Sequence, residues 1–151
     1  SLDEMKTNEG AVIESDFISR LRQLEADVDK IERRVPDIVD THRKRLEEGV
    51  KRIVSDAIVV DEARLAQEVA LYAERSDITE ELVRLRSHIQ QFRSYLEVDD
   101  AVGRRLDFLV QEMNREVNTL GAKGSDTAIS KRVVEMKAEL EKLREQIQNV
   151  E

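Results

Sequence analysis

The chain has 151 residues, no cysteine, a single proline and a net charge of −8, with 38% charged and 3% aromatic side chains. Disulfides and thiolate metal sites are excluded, no apolar run reaches transmembrane length, and the scarcity of aromatics argues against a sheet-based core. What remains is an all-α fold of long amphipathic helices, arranged as helical hairpins in a coiled-coil-like bundle.

The first apolar run, Ile13, Phe17, Leu21, Leu24, Val28, Ile31 and Val35, advances by threes and fours, the helical period. It is expected to stop at Pro36, which removes a backbone donor and clashes with the preceding turn. A second helix carries Val39, His42, Leu46, Val50, Ile53 and Ala57, with His42 read as a packing residue. The pattern breaks between Ile58 and Asp61, so residues 1–60 read as a connecting helical hairpin and 61–151 as a second unit. Asp61 is placed to cap a third helix bearing Leu65, Val69 and Tyr72. Asp77-Ile78-Thr79-Glu80 is a capping-box variant that opens a fourth helix, with Ile78, Leu82, Leu85, Ile89, Phe92 and Leu96 as its seam. Asp99-Asp100 marks the next boundary. A fifth helix bears Val102, Leu106, Leu109, Val110, Met113, Val117 and Leu120, with Gly121 as its expected C-cap. Ser125 or Asp126 then caps a sixth helix with Ile129, Val133, Met136, Leu140, Leu143, Ile147 and Val150. The seams of the first and last helices run for several heptads, and in a chain so lean in aromatics they are expected to mediate self-association.

Two polar stripes stand out. On the fifth helix, Arg104, Asp107, Gln111, Asn114, Arg115 and Asn118 lie opposite the apolar face, with Glu112 and Glu116 on the flank. A solvated face with local ion pairs is the ordinary reading, but amides are mediocre helix formers and give no local return. Glu112 and Glu116, one turn apart, offer two hard oxygen ligands suited to Mg²⁺ or Mn²⁺. On the fourth helix Asp77, Glu81, Arg84, His88, Gln91 and Tyr95 line one flank. A lone histidine beside an apolar stripe is usually structural. If the two helices form an antiparallel hairpin, however, His88, Glu81 and Arg84 face the carboxylates and arginines of the other stripe. The segment 80–123 carries seven Lys and Arg against eight Asp and Glu, so seven of the eight net negative charges lie elsewhere. Any contact with nucleic acid is therefore expected in this central segment.

Four stretches carry a resemblance: Arg64–Leu71 (RLAQEVAL), Asp77–His88 (DITEELVRLRSH), Gly103–Leu120 (GRRLDFLVQEMNREVNTL) and Arg144–Glu151 (REQIQNVE). Over about residues 61–151 the chain resembles the C-terminal region of the YicC/YloC family of bacterial endoribonucleases. The resemblance implies a cytoplasmic protein, about twice this length, with a further N-terminal domain to which residues 1–10 would form the tail. It also implies a ring-like homo-oligomer and metal-dependent cleavage of single-stranded or small RNA.

On that basis Glu112 and Glu116 are expected to hold a divalent metal, Mg²⁺ or Mn²⁺, with His88 or Asp107 completing the site. Arg84, Arg104 and Arg115 would take phosphates, and Gln111, Asn114 and Asn118 would orient RNA. In the rival mechanism His88 is a general base acting on the RNA 2′-hydroxyl, with the acid supplied by Glu81 or by the further N-terminal domain. The non-enzymatic alternative is an oligomerisation scaffold. No membrane partner is expected.

Overall fold

The computed structural model describes residues 2–53, 61–98, 103–124 and 126–150, with side chains for all of these except 2–9 and 150. The expected end of the second helix at Ala57, the apolar break before Asp61, the Asp99-Asp100 boundary, Val102 and the Ser125 cap lie outside the described residues. Among the described residues there are five helices: α1 (Leu2–Ile53), α2 (Glu62–Arg75), α3 (Thr79–Leu96), α4 (Gly103–Lys123) and α5 (Thr127–Val150). Among the described residues there is no strand, and no helix is long and apolar enough to cross a membrane.

The first two expected helices are one. α1 runs through Pro36 without a break, so no hairpin forms there. The reason is where the lost hydrogen bond falls. Pro36 cannot donate to the carbonyl of Glu32, but both residues are exposed, so the lost bond falls on the solvent face where it costs least. On the opposite face Ile31 and Ile38 are buried, and their packing carries the helix on past the proline.

The first half of α1, with α3, α4 and α5, forms an up-and-down four-helix bundle. Around the bundle α1 touches α3 and α5, and α4 touches the same two. Polar contacts across each seam give the directions. Arg86 of α3 reaches Asp29 at 2.7 Å and also Glu32, Arg93 reaches Glu25, and Phe92 meets Phe17 edge to face at 5.4 Å, so α3 runs antiparallel to α1. Arg20 pairs with Glu139 at 3.2 Å, and Arg34 forms a two-pronged bridge to Asp126 at 3.1 Å, so α5 is antiparallel to α1 as well.

The stripes of the first and last helices meet inside this bundle. Leu21, Leu24 and Val28 are fully buried together with Met136, Leu140 and Leu143. Self-association through those seams is thus corrected: each already has its partner within the chain, because four apolar faces of leucine, isoleucine and valine close a core that needs few aromatics. The far half of α1 carries α2 instead, where His42 stacks on Tyr72 with ring centroids 3.6 Å apart. α2 has no buried residue.

The helix ends follow local chemistry with some changes of position. Asp61 caps α2 as expected, its Oδ1 accepting from the amides of Ala63 and Arg64 at 3.1 and 3.2 Å. Asp77 opens α3 by accepting from the amide and hydroxyl of Thr79 at 3.0 and 2.6 Å; those bonds hold its carboxyl below the usual carboxylate range. The capping box is not closed, because Glu80 turns to Arg84 at 2.7 Å. Gly121 does not end α4. The reversal comes at Gly124, whose amide donates to Leu120 O at 2.9 Å, and where a Cβ would stand 3.0 Å from that oxygen. Asp126 spends its carboxylate on Arg34, tying helices together, while its backbone carbonyl accepts the Ser130 amide at 3.0 Å.

One buried charge is poorly served. Asp27 on α1 is 0% exposed, and neither carboxylate oxygen has a well-formed hydrogen bond, nearby Gln23 lowering its pKa least of the groups around it. Arg132 of α5 lies 3.9 Å away but gives its hydrogen bond to Glu135 at 2.9 Å. Burial first, and the Glu135 charge second, push the Asp27 carboxyl up. A folded-state value above the unfolded one means that the fold favours the protonated acid. That contribution is fully present below the unfolded value and lost as pH rises through the folded one. Asp27→Asn should therefore stabilise the protein at neutral pH by on the order of 1–2 kcal/mol. The gain should shrink toward nothing in acid, as urea melts across a pH series will read.

Candidate functional site

The antiparallel α3–α4 pair brings the two polar stripes together. Descending α3 meets ascending α4 in register: Glu81 opposite Lys123, Arg84 opposite Glu116, Tyr95 beneath Arg105. The register is set by Leu82, Leu85, Ile89 and Phe92 packing on Leu109, Met113, Val117 and Leu120, all buried. Residues one position off those stripes fall on the rim of the seam, half in and half out of water.

At the centre of that rim stand His88, Glu112 and Glu116. One ring nitrogen of His88 and one carboxylate oxygen from each glutamate lie within 4.8 Å of one another. Glu116 is only 5% exposed, and Arg84 braces it with a long 3.4 Å contact while holding Glu80 on its other arm. Glu112 is half-buried, and the nearest cation recorded beside it, Arg115 Nη1, is 3.9 Å off. The Nδ1 of His88 is buried and has no hydrogen-bond partner. Two carboxylates this close repel, and a buried imidazole nitrogen without a partner costs desolvation energy. A cation between the three relieves the repulsion. The donor set of one imidazole and two carboxylates fits a divalent ion, and its nitrogen tilts the preference from Mg²⁺ toward Mn²⁺.

The other expected site residues are placed differently. Glu81 is also buried, at 4% exposure. It lies two turns away and is engaged by Lys123 Nζ at 2.7 Å, which also donates to Asp77 O at 3.0 Å. Asp107 accepts from Gln111 at 3.0 Å and sits on the α5 flank, where Arg144 feels its charge. Neither joins the cluster. Arg104, Arg115, Gln111 and Asn118 are exposed along the outer face of α4, and Asn114 is half-buried there. Lys123 was not foreseen. It lies 42 residues from Glu81, and no periodicity links such a pair before the hairpin is known.

Comparison with known proteins gives the family. The family model described as "Endoribonuclease YicC-like, C-terminal" matches residues 31–151. A protein of Clostridioides difficile (strain 630) named "Probable endoribonuclease YicC" is 47% identical over 150 residues, covering 99% of this chain and 51% of that protein. A protein of the same name from Haemophilus influenzae is 37% identical over 147 residues, covering 97% of this chain and 50% of its own length. The chain spans about half the length of these relatives. It belongs to the YicC-like endoribonuclease family and carries that family's C-terminal domain.

Proposed function

We propose that this chain is the site-bearing part of a metal-dependent endoribonuclease that cleaves phosphodiester bonds in single-stranded or small RNA in the bacterial cytoplasm, as a homo-oligomer. One observation carries the reading: the convergence of His88, Glu112 and Glu116, with a buried imidazole nitrogen left open. The names of the relatives supply the reaction class.

His88, Glu112 and Glu116 hold the ion, and Arg84 fixes the rotamer of Glu116. A divalent ion in such a site supplies Lewis-acid polarisation of a phosphodiester and a nucleophile at neutral pH. The exposed Arg104 and Arg115 bind flanking phosphates. Gln111, Asn114 and Asn118 offer neutral donors to the strand on the same outer face.

The open Nδ1 of His88 also supports a second reading. Here the imidazole takes the proton of an RNA 2′-hydroxyl, O2′ attacks the adjacent phosphorus, and the 5′-oxygen leaves, giving a cyclic phosphate end. Glu81, held by Lys123, is poorly placed as the acid of that mechanism. Water attack can leave a 3′-hydroxyl instead, so end-group analysis separates the two.

Glu112→Gln in the full-length protein should abolish metal-dependent cleavage, spare RNA binding and leave the fold intact, since Glu112 is half-exposed and makes only one long ion pair. EDTA should reproduce the loss. Cleavage that is indifferent to both would reject the metal reading and favour His88 as base. Normal assembly with no cleavage in any form would favour the scaffold alternative. Arg84→Ala should weaken Mn²⁺ binding by roughly 10–100-fold, the usual cost of losing a group that orients a ligand, measurable by calorimetry.

Arg115 is 77% exposed at its side chain and opposite the core. Arg115→Ala should lower RNA affinity with no change in melting temperature, and reduce the slope of log affinity against log salt by about one. Because the net charge is −8, RNA binding by the 151-residue chain should be weak and confined to low ionic strength.

A further inference from the structure

The groove between α3 and α4 continues beyond the cluster. Three residues past His88 comes Gln91 and four more bring Tyr95; four residues before Glu112 stands Phe108, preceded by Arg105 and Arg104. These side chains, floored by Leu109, line an open pocket of about 230 Å³. Its lining begins three residues from His88 on one helix and three from Glu112 on the other, roughly 5 Å along the axis at 1.5 Å per residue.

The chain has only two tyrosines and three phenylalanines. Phe17 and Phe92 pair in the core, and Tyr72 stacks on His42. The other two flank this pocket. Phe108 is 58% exposed, on a helix whose neighbouring Leu106, Leu109 and Val110 are buried. A lone exposed apolar residue is unremarkable; an exposed ring beside a second ring and two arginines is a different surface. The Arg105 guanidinium lies 5.7 Å from the centroid of the Tyr95 ring, so that ring already accepts a flat cationic partner. Among the described residues no carboxylate pairs with Arg104 or Arg105, whereas Arg84, Arg86 and Arg93 of α3 are all ion-paired. The pocket is smaller than the roughly 300–1,000 Å³ that enclose a drug-sized ligand, and it suits one planar base.

We propose that this pocket is a stacking subsite for a single unpaired base of the RNA strand, one that positions the strand so that a neighbouring phosphate meets His88, Glu112 and Glu116. The base lies against Phe108 and Tyr95 with the Arg105 plane alongside, the Gln91 amide faces its edge, and Arg104 takes its phosphate. The identity of the strand rests on reading the cluster as the RNA-cleaving site.

The test is fluorescence anisotropy on the 151-residue chain at low ionic strength, with a short single-stranded oligoribonucleotide and a matched oligomer lacking one base. Phe108→Leu, which keeps the bulk and loses the ring, should weaken binding of the complete strand by about tenfold. Phe108→Tyr should restore it. The loss on Phe108→Leu should nearly vanish against the abasic strand, because ring and base are then removed from the same contact. Equal affinity of Phe108→Leu and the parent chain, equal losses on both strands, or no measurable single-strand binding by the parent chain would each overturn the subsite. Glu112→Gln separates this from the reading it rests on. If that change leaves cleavage intact, the metal reading falls, and the base-dependent loss on Phe108→Leu still decides the subsite.

Discussion

Everything at the candidate site depends on how α3 and α4 lie against each other, and that rests on an apolar seam with one charge set into it. Glu116 occupies a position that packing alone would give to leucine. Its carboxylate is almost wholly withdrawn from water, and a single long contact to Arg84 is the only hydrogen bond recorded for it. Buried ion pairs seldom repay their desolvation, so this one weakens the bundle where an aliphatic residue would strengthen it. The compensation lies in geometry. A glutamate rooted in the core moves less than one on the surface, and it fixes the height at which Glu112 and His88 meet it. The same register carries the paired rings and arginines of the neighbouring pocket, so one helix pairing sets both the cluster and the stacking surface.

Much of this fold was legible in the sequence because the helical period is nearly unbroken. The stripes from Ile13 to Val35, from Ile78 to Leu96 and from Leu106 to Leu120 are the faces that become buried. Misreadings came where a local rule met a tertiary contact. Pro36 was read as a stop, but its lost donor falls on a wet face while Ile31 and Ile38 hold the dry one. Gly121 has the pattern of a C-cap, whereas α4 runs on to Lys123 and the chain turns at Gly124, where a Cβ would crowd the Leu120 carbonyl oxygen. Of the two candidate caps, Ser125 and Asp126, the latter precedes α5 but turns its carboxylate to Arg34. The seams of α1 and α5 were assigned to other chains because heptads alone do not say whether the partner helix is covalently connected.

The site was legible only in part, for a related reason. Spacing of four placed Glu112 beside Glu116, and the stripe on α3 brought His88 to the same groove once a hairpin was supposed. Lys123 capturing Glu81, Asp107 turning toward α5 and the open nitrogen of His88 are consequences of side-chain packing between helices, and no pattern along one helix encodes them. Phe108 did leave a trace: it is an aromatic residue outside the apolar stripe, on a face otherwise made of arginine, aspartate and amides.

α1 has 52 residues, about 78 Å at the helical rise, while α5, the longest of the other helices, has 24. Its first half is clamped on two sides by α3 and α5, core burial reaches as far as Ile38, and beyond that, among the described residues, α2 is the helix packed on it. Mechanically it is a beam built in at one end with a paddle at the other. Stiffness along such a beam comes from the ladder of backbone hydrogen bonds, and that ladder lacks a rung at Pro36, near the edge of the clamp. Bending therefore concentrates at that point. A load applied to α2 acts about Pro36, and the Arg34–Asp126 bridge, two residues before it, carries part of that torque into the bundle.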